Sequence, residues 1–136
     1  LGDYKGKVKL VYKQLPLLSH PWAKDAAIAS VCAYQQGNDN FWEFHDLVFE
    51  NQKQITVQNS NDRFKEFAKN IGLDTNKFNQ CLSSPEITTR VQNEIQEAQS
   101  VGATATPTFI VNGITVRGAD PEGLKSAIET SLSGDS

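Results

Sequence analysis

Methionine is missing altogether from this sequence, even at position 1, so the chain is expected to begin at a cut, either a processing site or an engineered boundary. Any export signal would have gone with whatever came before. No apolar run approaches the roughly 18 residues that a membrane span needs. Positive charge is not in excess either: 13 Lys and Arg stand against 16 Asp and Glu, a net charge of −3. That balance argues against a general nucleic-acid or membrane-surface binder. Lys5, Lys7, Lys9 and Lys13 gather near the start, but they alternate with apolar residues, as the solvent face of a strand does.

Residues that carry chemistry are equally scarce. There are two histidines and two cysteines. His20 stands next to Pro21 before a helix, and His45 shares a helix with Trp42. The further convergent ligands of a metal site are lacking, so neither a metal nor another cofactor is expected. His45 beside Asp46 reads as a solvent-facing polar pair rather than a catalytic dyad. No serine lies in a nucleophile-elbow pattern, and no glycine-rich phosphate loop occurs. Cys32 and Cys81 fall in separate helical stretches, so neither belongs to a Cys-X-X-Cys. From the residues alone three readings stay open: buried thiols acting as small hydrophobes, a structural disulfide, or a relocated redox pair. Mid-helix apolar surroundings, which raise a thiol's pKa, speak against the last.

What is present is one domain's worth of chain, 136 residues with 38% hydrophobic and 21% charged side chains. Lys7-Val8-Lys9-Leu10-Val11-Tyr12-Lys13 alternates polar and apolar and is expected to be a strand. An alanine-rich helix follows from Pro21 to Gln36, with Gly37 just past its end. Asn38-Asp39-Asn40 offers N-caps to a second helix bearing Phe41, Phe44, Leu47 and Val48 on one stripe. A third runs from about Asn61 to Ile71. Asp74 caps a short helix carrying Phe78 and Cys81, and Ser84-Pro85-Glu86 opens a long one that Gly102 ends. Then the period changes: Thr108–Val111, an Asn112-Gly113 turn and Ile114–Val116 form a β-hairpin. Asp120-Pro121-Glu122 starts a last helix. Strand, helices, hairpin and helix in that order give an α/β or α+β layered fold with a helical lobe.

Pro107 enters the hairpin where an apolar run should be central, and it removes a backbone donor there. A cis bond at this point would hold the backbone of Thr106 exposed, ready to pair with an extended peptide. Three stretches, KVKLVYKQLPLLSHPWAKDAAIASVCAYQQGNDNFWEFHDLVF, IGLDTNKFNQCL and VGATATPTFIVNGITVRGADP, resemble in this order the DsbA-like branch of the thioredoxin superfamily. These are exported thiol-disulfide oxidoreductases with a helical domain inserted in a thioredoxin fold. The similarity covers essentially residues 6–130. It implies an α/β thioredoxin-like fold in which 1–18 and 102–132 form a partial sheet with the C-terminal helix. Residues 19–101 would then be the inserted helical domain, and 133–136 a disordered tail. Pro107 matches the family's cis-proline and Thr106 the substrate-touching residue before it. Cys32 and Cys81 match a structural disulfide found among relatives, and Phe41 and Trp42 become candidates for part of a partner groove.

The departure from the family is large. Its Cys-X-X-Cys sits at a helix N-terminus, where the dipole lowers the first thiol's pKa, and no such motif is present. The resemblance implies that the strand and helix carrying it would precede Leu1. The parent would exchange disulfides with cysteine-containing substrate proteins in the bacterial periplasm or cell envelope and be recycled by a membrane redox partner. This chain alone would be inactive, a fragment keeping the substrate ledge. The alternative is a redox-inactive thioredoxin-like module that binds peptides or proteins. Because the absent strand should lie between 7–13 and the hairpin, the gap is expected to close by direct strand pairing, by a homodimer, or by disorder of one edge.

Overall fold

The computed structural model describes residues 2–17 and 19–134. The chain forms two compact units, Gln14–Glu97 and a second assembled from Leu1–Lys13 with Ala98–Ser136. The lobe thus begins and ends a few residues earlier than the 19–101 read from sequence, and the later segment of the second unit runs wider than 102–132.

The first unit is the helical lobe. It comprises α1 (Ala23–Tyr34), α2 (Asn38–Glu50), α3 (Ser60–Asn70), α4 (Thr75–Leu82) and most of α5 (Pro85–Ser100). Every residue from Ala26 to Ala33 is buried, so this part of α1 is enclosed on all sides rather than along one stripe, the mark of a central helix. Its alanines leave little bulk on the surface, and α2, α3 and α4 pack against it. Phe44, Phe64 and Phe78 fill the space between them and are wholly buried. Gln36, just beyond α1, grips the start of α4: its Nε2 donates to the Asp74 carbonyl at 3.1 Å and its Oε1 accepts the Asp74 N–H at 2.9 Å. The Asp74 carboxylate in turn accepts the Lys77 N–H at 3.1 Å, an N-cap that contributes about 1 kcal/mol.

One cap differs from expectation. Helix α2 begins at Asn38 itself, with Gly37 as cap. Gly37 has φ 141°, and a Cβ there would lie 3.1 Å from the Asn40 Nδ2. That backbone turn suits glycine and leaves Asn38-Asp39-Asn40 inside the helix. Asn40 then donates back to the Gln36 carbonyl at 2.9 Å.

The second unit holds β1 (Thr108–Val111), β2 (Ile114–Arg117) and α6 (Pro121–Leu132). The strands pair antiparallel with Thr108 opposite Arg117 and Val111 opposite Ile114. Asn112 (φ 49°) and Gly113 (φ 92°) make the turn, the left-handed pair that a two-residue hairpin loop requires. Asp120 caps α6 by accepting the Gly123 N–H at 3.0 Å. The Tyr4 hydroxyl, in a short 3-10 turn, donates to Glu129 of α6 at 3.4 Å.

The strand expected over 7–13 is not formed. Residues 8–17 carry no regular secondary structure, and Leu10 and Val11 are exposed at 49% and 60%. Alternation fits a pleated surface, but a strand also needs a neighbour to take its N–H and C=O groups. Among the described residues the sheet contains β1 and β2 alone, so direct pairing does not close the gap. The tail expected to be disordered is described only in part: Ser133 ends α6 with its N–H on the Glu129 carbonyl at 3.0 Å, while 135 and 136 lie outside the described residues. So do residues 1 and 18, which bounded the expected N-terminal segment.

Candidate functional site

The stretch from Thr104 to Pro107 is exposed and leads directly into β1. Two hydrogen bonds fix it. Thr108 turns its hydroxyl back onto the Ala105 carbonyl at 2.7 Å. The Gly118 N–H, just past β2, donates to the Pro107 carbonyl at 2.9 Å, which extends the hairpin's pairing by one step toward the site. The Thr106–Pro107 peptide bond is cis. Pro107 has no N–H to give, and the N–H and C=O of Thr106 make no hydrogen bond among the described residues. The result is a short exposed backbone ledge with an open donor and an open acceptor on one residue. Such groups are what an extended peptide pairs with when it adds as a strand.

No thiol faces this ledge from within the second unit, since the sequence has only two cysteines and both belong to the lobe. Cys32 of α1 and Cys81 of α4 are joined as a disulfide, with Cα atoms 5.7 Å apart. Cys32 is 1% exposed and Cys81 half-buried. Neither sulfur is therefore a thiolate available for attack, the form that nucleophilic sulfur chemistry requires.

The aromatic candidates for a partner groove divide. Phe41 is buried and stacks edge-on against Trp42 at 4.9 Å and Tyr34 at 6.3 Å, so it is consumed in packing, while Trp42 keeps partial exposure. His45 stacks on Trp42 at 5.4 Å and sets its Nδ1 3.1 Å from Asp46 Oδ1. Among the described residues, no three His, Cys, Asp or Glu side chains converge as a metal site would require. One contributor escaped the sequence reading: Gly118, whose N–H holds Pro107. Its signal was a glycine directly after a short alternating strand, with φ 80°, opposite the residue that enters the partner strand.

A hairpin entered through a cis Thr-Pro bond, joined in one chain to a disulfide-latched helical lobe, defines a thioredoxin-like α/β protein with a helical insertion. The chain belongs to the thioredoxin family, whose model, described as Thioredoxin, matches residues 1–130. The DsbA-like character of its sequence agrees with its relatives. Probable disulfide bond formation protein D of Bacillus anthracis is 31% identical over 134 residues, covering 94% of this chain and 59% of its own length. Na(+)/H(+) antiporter NhaA of Herminiimonas arsenicoxydans is 34% identical over 128 residues, 93% of this chain and 19% of its own. Na(+)/H(+) antiporter NhaA 3 of Salinispora tropica is 32% identical over 130 residues, 94% and 19%. The chain thus spans less than two thirds of these relatives' length. No solved structure matches it significantly. Among the described residues no helix is long and apolar enough to cross a membrane.

Proposed function

We propose that this chain is the substrate-ledge and helical-lobe part of a DsbA-like thiol-disulfide oxidoreductase whose redox dithiol is carried by a strand and helix preceding Leu1 in the parent. The observation that carries this reading is Thr106: exposed, set before a cis-proline, with both backbone groups open. Cysteine-containing proteins are the substrates. An extended segment pairs with Thr106 while the parent's thiolate attacks a substrate disulfide, or a substrate thiolate attacks the parent's disulfide. The mixed disulfide is then resolved by the second thiol. Relatives named disulfide bond formation protein D and Na(+)/H(+) antiporter support a setting in the cell envelope or periplasm. A membrane redox partner of the parent recycles the dithiol in this reading.

An oxidation assay with a two-cysteine peptide tests this reading. The present chain should give no turnover. The chain extended through an upstream Cys-X-X-Cys should turn over, and Thr106→Pro, which removes the open N–H, should lower its kcat/KM by about ten-fold. Turnover by the present chain that Cys32→Ser abolishes would overturn it.

The second reading, a redox-inactive binding module, is favoured by the fact that both cysteines of the chain are tied up in one disulfide. It wins if no Cys-X-X-Cys is encoded within about 40 residues upstream of Leu1, the length scale of one βαβ unit. Exposed Leu10, Val11 and Ile110 further support a homodimer of the isolated chain that supplies the missing strand pairing. Light scattering should give twice the chain mass; a monodisperse monomer at high concentration would remove the dimer.

A further inference from the structure

The tip of the hairpin lies at the opposite end of β1 from the ledge, and it carries a chemistry that the reading above does not use. Asn112 is followed by Gly113, both exposed. The ladder closes at Val111 opposite Ile114, leaving the two turn residues outside it. A Cβ placed on Gly113 would meet no atom within 4 Å. Gly113 thus has no side chain to hinder approach to its nitrogen, and the space where one would stand is open.

The nine other asparagines of the chain are each followed by a residue with a side chain. Seven lie in helices: Asn38, Asn40, Asn61, Asn70, Asn76, Asn79 and Asn93. A helical side chain leans toward the N-terminus, away from the next residue's nitrogen. Asn51 and Asn59 are held by their own hydrogen bonds. The Asn51 Nδ2 donates to the Leu47 carbonyl at 2.8 Å, and the Asn59 amide spans the Thr56 N–H at 2.7 Å and the Gln54 carbonyl at 3.0 Å. No hydrogen bond restrains the Asn112 side chain among the described residues.

We infer that Asn112 is a site of spontaneous modification, deamidating selectively in the folded protein and thereby altering the hairpin. The Gly113 nitrogen attacks the Asn112 Cγ. A nitrogen–carbon bond forms, the Cγ–Nδ2 bond breaks, and ammonia departs with the proton from the Gly113 amide. Solvent water then opens the five-membered imide at either carbonyl. One opening gives an aspartyl residue, which tolerates the left-handed backbone that Asn112 occupies. The other routes the main chain through the former side chain and adds a methylene to a loop that admits two residues. The Val111–Ile114 pairing cannot keep its register across the longer link. This inference stands on the turn alone and is independent of the proposed function.

Peptide mapping by mass spectrometry, on the full chain held at mildly alkaline pH and physiological temperature, tests it. The amide-to-acid mass gain should appear at Asn112 at least about ten-fold faster than at any other asparagine, a rate ratio of roughly 1.4 kcal/mol in barrier. Gain at another asparagine first, or none at Asn112, would overturn the assignment. The aged chain should separate into two forms. One should match an Asn112→Asp variant in the hydrogen-exchange protection of the Phe109 and Val116 amides, which face each other as a hydrogen-bonded pair of the ladder. The isoaspartyl form should lose at least about ten-fold of that protection; equal protection in both would overturn the claim about register.

Discussion

Phe44→Ala should destabilise the helical lobe by about 3–5 kcal/mol, the usual cost of emptying an aromatic site in a packed core. The Phe44 side chain is wholly buried, and its ring lies 6.1 Å from Phe64, 6.2 Å from Phe67 and 5.8 Å from Phe78. It therefore stands where α2, α3 and α4 come together. Urea unfolding followed by helical circular dichroism measures the change. Phe49, on the same helix but 57% exposed, supplies the control, since Phe49→Ala should move stability by no more than about 0.5 kcal/mol. Equal effects of the two substitutions would show that the ring cluster is not the core of the lobe.

Replacing both cysteines, Cys32→Ala with Cys81→Ala, should cost about 4 kcal/mol. The sulfurs join positions separated by 49 residues, and closing a loop of that length removes roughly this much free energy from the unfolded chain in the entropy model. A double replacement is the cleaner test because it leaves no unpaired thiol. Reductant should destabilise the unsubstituted chain by a similar amount and leave the double variant unmoved. A loss below about 1 kcal/mol would mean that packing alone holds α4 against α1. The two effects should also be coupled. Both Phe78 and Cys81 belong to α4, so a lobe without its disulfide already has α4 loosened, and Phe44→Ala should cost less there than in the disulfide-bonded chain.

Much of this architecture was legible in the residue order. Helix α3 follows from Phe64, Phe67 and Ala68 at helical spacing, and α4 and α6 from Asp74 and Asp120 placed one residue ahead of their helices. The hairpin follows from Asn112-Gly113 set between two short apolar runs. Thr106 and Pro107 stood out because a proline entering a central-looking strand is a local conflict, and such conflicts gather at functional sites. Phe41 shows the opposite limit. Its place on an aromatic stripe was equally consistent with a core residue and with a groove, and only its packing against Trp42 and Tyr34 separates them.

The sequence by itself determined the helices, their Asp caps and the turn, because each is governed by groups within about four residues of one another. Whether Lys7–Lys13 forms a strand, and which atoms hold Pro107, were decided only by the tertiary structure. The first depends on a neighbouring strand and the second on Gly118, eleven residues later in the chain. Alternation prepares a segment for a sheet, but its backbone groups pair only where another backbone is present to meet them.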